Sequence, residues 1–328
     1  MDIVSCTKPR GNNPVKSYAA YAIGAALVDT EVQVTDAELD KLNVKKGVMT
    51  LVDEADRAKL LGQLSRQLDQ ANHASGGSAG NSMIATSLFG ARTFMTCKVA
   101  EDEDGDIYLA DLEQSGVSHG QHHKRSEGMT GKCLVLITPD AERSLNTNLG
   151  VSETLSTDEV CEDAIRDSEW IYLEGYLVTS RTCHLAALKT ICLAKKYGVK
   201  TAINFSDPGM VRFFRKNIAA MLEGSVELVF CNKLEALEWG QCSTLDEAIE
   251  SIKRVAQRFV ITLGSKGAVT WDGYQLHSVP AKPVQAVNTN GAGDMFAGAF
   301  FYALSRGESH FHATEFANLA AGEVVKYL

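Results

Sequence analysis

The sequence predicts a doubly wound, mostly parallel α/β sheet flanked by helices and carrying a small β-rich lid, on three observations. From about Trp170 onward, short apolar strands alternate with amphipathic helices, the rhythm of a parallel sheet with helical crossovers. Phe259 to Leu263 is apolar without alternation, as a strand covered on both faces must be. Two stretches, Thr30 to Leu51 and Glu113 to Gly150, break the rhythm with strand-like pieces such as Val48 to Val52 and Lys132 to Thr138, which can pair into one small sheet.

Taken in order, residues 1–17 are polar and interrupted by Pro9, Gly11 and Pro14, so they are expected to form a flexible arm. The α/β domain then spans 18–328, with the lid inserted discontinuously at about 30–51 and 113–150. Its first strand is expected at Tyr18 to Val28 and a helix at Ser82 to Phe89. Strands follow at Trp170 to Leu173, Lys200 to Phe205, Val226 to Cys231 and Phe259 to Leu263. Helices are expected between them at Thr182 to Tyr197, Met210 to Leu222 and Asp246 to Arg258. Ligands in such sheets sit beyond the carboxyl ends of the strands, so chemistry is expected in the loops after Leu173, Phe205, Cys231 and Leu263. A lid over that edge would exclude water.

Composition narrows the function classes. The 328 residues are 45% hydrophobic and 22% charged, enough apolar surface for a globular enzyme. Lys and Arg total 32 against 41 Asp and Glu, a net charge of -9 that argues against sequence-independent nucleic-acid binding and against an anionic membrane surface. Eight cysteines occur without a CxxC pair, which fits buried thiols in a reduced, cytoplasmic protein. No charged-then-apolar signal opens the chain, and no uninterrupted apolar run approaches the roughly 18 residues of a membrane span.

The strongest local signal is Asn288-Thr289-Asn290-Gly291-Ala292-Gly293-Asp294, followed by a helix that is apolar on nearly every face up to Leu304. Gly291 and Gly293 let the backbone approach a ligand closely, and the free first-turn amides around Ala292 suit a transferring phosphoryl group. Asp294 beside them can accept the proton of an attacking hydroxyl. From spacing alone, a capped helix behind a tight turn remains open.

Ser75 to Asn81 holds Gly76 and Gly77, which leave room for a sugar ring, and Asn81, which offers both donor and acceptor. Asp29, expected at the end of the first strand, can accept two ribose hydroxyls. A glycine turn with an Asn cap and a strand-terminating Asp explain these residues equally well. Thr262, Gly264, Ser265 and Gly267 form a glycine turn at the binding edge, where a nucleotide's phosphates can lie. The pattern GxxxxGK followed by Ser or Thr is absent, which excludes an ordinary P-loop kinase. Asn232 and Glu235, after another strand, offer oxygen ligands to Mg²⁺ directly or through water. A Rossmann dehydrogenase fits poorly, because the glycines lie near the carboxyl terminus and Gly298 stands too far on.

Together these residues resemble the ribokinase-like, or phosphofructokinase-B, family, whose hallmark is Asp-Thr-x-Gly-Ala-Gly-Asp; Asn288 to Asp294 match at all but the first position. The resemblance extends through Gly76-Gly77 to Asn81, Asn232 to Glu235 and Thr262 to Gly267, over almost the entire chain. Thr130 to Cys133, Arg143 to Leu145, Asn148 to Gly150, Glu174 to Leu177 and Asn204 to Ser206 are most similar to the family's adenosine kinase branch. The resemblance implies transfer of the γ-phosphate of Mg·ATP to the 5′-hydroxyl of a nucleoside, adenosine giving AMP. Another nucleoside, a sugar of ribose or fructose type, and a catalytically silent nucleoside-binding protein are the alternatives. It further implies that Asp29 binds the ribose hydroxyls, that Gly76, Gly77 and Asn81 position the sugar, and that Arg143 reaches from the lid to phosphate. Two departures stand out: Asn288 replaces the hallmark Asp, which argues against K⁺ activation, and Gly24-Ala25 replaces the usual Gly-Asn. The chain stops at Leu328 in or just after a helix, short of where close relatives end, which leaves open how much of the nucleotide pocket it supplies. A monomer or a homodimer is expected.

Overall fold

The structure, a computed structural model, describes residues 16–65, 67–68, 71–120, 125–224 and 226–327. The arm expected over residues 1–17 lies, up to residue 15, outside them. In place of one first strand over Tyr18 to Val28 there are two, β1 (Tyr18–Ile23) and β2 (Leu27–Gln33), which join different sheets. The chain turns at Gly24, where a Cβ would lie 2.6 Å from the Ala79 Cβ and 2.7 Å from the Glu174 carboxylate. A side chain there would force the turn open. Asp29 is therefore the third residue of β2 and not the end of a strand.

The chain continues through α1 (Asp36–Lys41), β3 (Met49–Leu51), α2 (Glu54–Gln63), β4 (Asn72–Gly76), α3 (Ser78–Leu88), β5 (Thr93–Thr96), α4 (Glu103–Gln114) and β6 (Val117–His119). After them come β7 (Gly131–Ile137), β8 (Arg143–Asn148), α5 (Glu162–Arg166), β9 (Ser168–Glu174), α6 (Arg181–Tyr197) and β10 (Lys200–Asn204). The helix expected over Met210 to Leu222 breaks at Phe214 into α7 (Pro208–Phe213) and α8 (Arg215–Met221). Then follow β11 (Val226–Asn232), α9 (Lys233–Gly240), α10 (Leu245–Lys253) and β12 (Ala256–Thr262), so α10 ends earlier and β12 starts earlier than their apolar patterns indicate. The chain closes with β13 (Ala268–Trp271), β14 (Leu276–Val279), α11 (Ala292–Ser305) and α12 (His310–Val324).

Among the described residues, nine strands form the large sheet in the order β14-β13-β12-β11-β10-β9-β1-β5-β6. It is parallel from β6 to β12, with β13 and β14 antiparallel at one edge. Side chains alternate along each strand. Tyr21, Ile23, Ile171, Leu173, Val229 and Ile261 pack with α5 to α10 on one face. Ala20, Ala22, Tyr172, Leu228, Phe230 and Val260 pack with α3, α4, α11 and α12 on the other. Each fully buried aromatic or branched side chain here contributes about 1.5–3 kcal/mol relative to exposure.

The small sheet runs β3-β8-β7-β2-β4. It draws on more of the chain than 30–51 and 113–150: β2 begins at Leu27, β4 ends at Gly76, and residues 117–119 belong to the large sheet as β6. One face carries Val32, Val34, Leu134 and Leu136 against Leu39, Leu60 and Leu64 from the α1 and α2 segments. The other carries Asp29, Cys133 and Thr147 in one register row, and Arg143 stands two rows along at the start of β8.

One helix contact sets the position of the hallmark turn. A Cβ on Gly298 of α11 would lie 2.5 Å from the Ala85 Cβ of α3, and the Thr86 hydroxyl donates to the Gly298 carbonyl at 3.0 Å. The two helices approach this closely because glycine is at the crossing. Gly298→Ala is expected to destabilise the protein by about 1–3 kcal/mol through overpacking, read from urea unfolding. Wild-type stability in that variant would mean that the helices are free to separate.

Candidate active site

The large sheet reverses its winding between β1 and β9, since strands after β1 add on one side and strands after β9 on the other. The crevice beyond the carboxyl ends of these two strands is the ligand position of an open α/β sheet. Glu174, the last residue of β9, underlies it. Only 1% exposed, it accepts N–H bonds from Ala25 at 2.9 Å and Ala79 at 2.8 Å. One carboxylate thus ties the β1–β2 turn to the start of α3. Burial pushes its carboxyl up to about 7, against the pull of the two amides.

Asp294 stands over this crevice in the first turn of α11. Gly291 is the N-cap at φ 71°, a left-handed conformation that suits glycine, and its carbonyl accepts from the Met295 N–H at 2.8 Å. The amides of Gly291, Gly293 and Asp294 donate to none of the described residues, and a Cβ on Gly293 would meet nothing within 4 Å. Free donors facing open space at a helix N-terminus can take an anion. The Asp294 carboxylate accepts from the Ser78 hydroxyl at 2.6 Å and from Asn81 Nδ2 at 3.2 Å. Desolvation raises its pKa above the ordinary aspartate range, while Ser78, Asn81 and the Arg143 charge hold it down. Asn81 therefore lies inside α3, one turn past the Gly77 N-cap, and binds the candidate base directly.

Across the crevice, β2 of the lid presents Asp29, 8% exposed and packed against Gly76 so closely that a Cβ there would overlap its carboxylate. Its Oδ1 is buried and has no hydrogen-bond partner among the described residues. A buried acceptor left unpaired costs about 1–3 kcal/mol, which a ligand hydroxyl would relieve. Burial first, then the charges of Glu31 and Asp294, push Asp29 up to about 7; the Asn290 amide opposes them. Gly77 adopts φ 92° and passes close to the Ala25 carbonyl, which brings β4 and the β1–β2 turn together. Two residues beyond Asp29, Glu31 accepts from Asn288 and Asn290, the two amide side chains of the hallmark turn.

The second half of the crevice lies over β11 and β12, where Asn232 and Thr262 are register partners. Asn232 and Glu235 form a capping box at the start of α9. The Glu235 N–H donates to Asn232 Oδ1 at 2.9 Å, while the Asn232 N–H and Nδ2 donate to the two Glu235 oxygens at 2.8 and 2.6 Å. Glu235 is 3% exposed, and burial pushes it up to about 7; the nearby Asp207 adds to this and Arg143 opposes it. Beyond Thr262, Gly264 and Ser265 are exposed in a 3₁₀ turn, and Gly267 closes it with its carbonyl accepting from Leu263 N–H at 2.7 Å. Arg143 lowers both the Asp294 and the Glu235 carboxyls, so its charge is felt at the start of α11 and at the start of α9. Among the described residues, no hydrogen bond or ion pair engages its guanidinium.

The fold thus gathers Asp29, Gly76, Gly77, Asn81, Gly291, Ala292, Gly293 and Asp294 around the switch point and Asn232, Glu235, Thr262, Gly264, Ser265 and Gly267 at the carboxyl ends of β11 and β12, with the Arg143 charge felt at both. Sequence reasoning did not assign Ser78, Glu31, Glu174 or Asp207 to the site. Glu174 had a visible signal, a charged residue closing a buried strand at the binding edge. Ser78 had none beyond lying between Gly77 and Asn81.

The pfkB family of carbohydrate kinases matches residues 41–328. An adenosine kinase of Saccharomyces cerevisiae is 28% identical over 305 residues, covering 87% of this chain and 88% of that protein. The crystal structure of adenosine kinase from Sinorhizobium meliloti superposes with a TM-score of 0.89 at 34% identity and covers 95% of each chain. A probable sugar kinase from Rhizobium etli CFN 42 superposes with a TM-score of 0.90 at 31% identity, covering 95% of this chain and 94% of that one.

The raised carboxyls make stability depend on pH. For an acid whose folded pKa lies above its unfolded value, the native state binds the extra proton, and stability present below the unfolded pKa is lost as pH rises through the folded one. Asp29, Glu174 and Glu235 each span the interval from the ordinary carboxyl range to about 7. Urea unfolding should therefore show lower stability at pH 7.5 than at pH 5. Asp29→Asn should reduce that difference by about 2–3 kcal/mol. An unchanged difference would mean that Asp29 is ionised at both values.

Proposed function

The chain belongs to the pfkB family of carbohydrate kinases, and on that footing we propose that it transfers the γ-phosphate of Mg·ATP to the 5′-hydroxyl of a nucleoside, with adenosine as acceptor and AMP and ADP as products. One observation carries the reading. A carboxylate held by Ser78 and Asn81 stands beside three helix-terminal amides, opposite a buried aspartate; among the described residues, neither those amides nor the aspartate Oδ1 has a hydrogen-bond partner. A nucleoside supplies what this lacks: ribose hydroxyls for Asp29 and a primary hydroxyl for Asp294.

Asp294 would take the proton of the acceptor hydroxyl, oriented by the two hydrogen bonds that fix its carboxylate. The amides of Gly291, Gly293 and Asp294 would face the charge that gathers on the equatorial phosphate oxygens, and the free Arg143 guanidinium would neutralise it from the lid. Thr262, Gly264, Ser265 and Gly267 would carry the remaining phosphates and the nucleotide, beside Asn232. Mg²⁺, when bound, shields phosphate charge. Both Glu235 oxygens are engaged by Asn232, so Asn232 and Glu235 suit a metal held through water rather than directly. Seating of the small sheet over the crevice removes competing water.

The similarity to adenosine kinases of yeast and Sinorhizobium meliloti supports adenosine. A sugar acceptor is the second reading, favoured by Ala25 where the family's asparagine would offer an amide near the substrate, and by the likeness to the Rhizobium etli protein. The second face of the small sheet is covered by the chain's own α1 and α2, which supports a monomer over a dimer paired through the lid. Among the described residues, no helix is long and apolar enough to cross a membrane.

ADP release from Mg·ATP should be selective for adenosine in a panel with inosine, guanosine, cytidine, ribose, fructose and fructose 6-phosphate. Asp294→Asn should lower kcat by about 10²–10⁴-fold while leaving adenosine affinity within a few fold. Robust turnover by that variant would remove Asp294 from its role, and selective turnover of a sugar would replace the acceptor. Arg143→Ala should cut kcat/KM for ATP by about 10–100-fold, and wild-type kinetics there would show that its charge never meets phosphate.

A further inference from the structure

Glu31 has no part in the proposed chemistry, yet both its carboxylate oxygens are engaged by the hallmark turn. Oε2 accepts from Asn288 Nδ2 at 3.3 Å and Oε1 from Asn290 Nδ2 at 2.8 Å. Asn288 is buried, and its own Oδ1 accepts the Asn290 N–H at 2.8 Å. The Asn288 amide therefore cannot turn over, because reversal would set its NH₂ against the Asn290 N–H. Between the two asparagines, the Thr289 hydroxyl donates to the Ala141 carbonyl in the β7–β8 connection at 2.7 Å. Every side chain from 288 to 290 thus holds the small sheet, and the next residue is the left-handed Gly291 that starts α11.

We propose that Glu31 is a positioning residue: from the lid strand β2 its carboxylate holds Asn288 and Asn290, so that seating of the lid orders the Gly291–Asp294 turn. The inference rests on the kinase site proposed above. The polarity of the pair gives it its specificity. This chain puts the acid on the strand and the amide on the turn, and an aspartate at 288, as in the family hallmark, would face Glu31 charge to charge.

That polarity provides a test by exchange of the two groups. Glu31→Gln sets an NH₂ against the Asn288 NH₂, and Asn288→Asp sets carboxylate against carboxylate. The double variant E31Q/N288D restores a donor and an acceptor at every contact. The amide nitrogen introduced at position 31 would meet one oxygen of the carboxylate introduced at position 288, and the amide oxygen beside it would meet Asn290 Nδ2. The second oxygen of the new carboxylate would meet the Asn290 N–H. Hydrogen exchange of the segment 288–296 should be measured on the ligand-free protein. It should speed up about tenfold or more in each single variant and return to within about threefold of wild type in the double. With adenosine and ATP, kcat should fall about tenfold or more in the singles at little-changed KM and recover in the double.

Unchanged protection in the singles, or no recovery in the double, would overturn the proposal. If Asn288→Asp does not fold, Asn290→Ala removes the 2.8 Å donor without adding charge and must loosen the segment equally; unchanged protection there also overturns it. Because exchange is read without substrate, a protein silent toward adenosine that still shows loss and recovery of protection sinks the acceptor assignment and leaves the Glu31 contact standing.

Discussion

The site rests on a single buried carboxylate. Glu174 closes the central strand β9 at the point where the sheet reverses direction and accepts the backbone amides of Ala25 and Ala79. Those amides stand in the two segments that carry the proposed acceptor side of the crevice, one leading to Asp29 on β2 and the other holding Ser78 and Asn81 on α3. Gly24 and Ala79 are small because the Glu174 side chain and the two turns share one confined volume. An amide in place of this acid would offer one acceptor to two donors, and the unpaired N–H would lie in a dry interior. The geometry of the proposed base is thus set from beneath, by a residue that never meets the acceptor hydroxyl.

From that anchor the electrostatic character of the crevice follows. Asp29 and Glu174 both feel the Asp294 charge, Glu235 feels that of Asp207, and burial raises the Asp29, Glu174, Asp294 and Glu235 carboxyls alike. Such a concentration of acid is unfavourable for a polyphosphate unless positive potential offsets it. The offset comes from the amides at the start of α11 and from the Arg143 guanidinium, none of which is engaged among the described residues. Asp29, Glu174 and Asp294 lie on the side of the proposed hydroxyl acceptor, Glu235 lies at the start of α9, and the donors and the cation stand where phosphate would lie in the proposed reaction. The two sides meet at Asp294, which the Arg143 charge keeps from rising further.

The small sheet belongs to both sides. Its β2 supplies Asp29 and Glu31 and its β8 begins with Arg143, so the proposed acceptor side and the proposed phosphate side share one sheet. Its other face is sealed by α1 and α2, which makes it a two-layer unit with a core of its own. Contacts from Asn288, Thr289 and Asn290 to this unit connect the turn before α11 to the lid. Three side-chain hydrogen bonds therefore join the turn before α11 to the small sheet.

Much of this was legible in the amino-acid sequence because it depends on local pattern. Apolar runs with helical intervals determined the doubly wound sheet, and the glycines around Asp294 and between Ser75 and Asn81 marked turns where backbone must approach a ligand. What the sequence left open depended on groups far apart in the chain. The break of the first strand at Gly24 is invisible in its apolar run, because it is enforced by Glu174, about 150 residues later. Asn232 and Glu235 suggested metal ligands by spacing, whereas the helix they head uses their oxygens in a capping box. The partners of Asp294 on α3, of Asn288 on β2, and the unpartnered oxygen of Asp29 exist only once two sheets and a helix pair are brought together. Backbone preference and hydrophobic period are written residue by residue, but hydrogen-bond partnership and desolvation belong to the space between segments, and only tertiary packing creates that space.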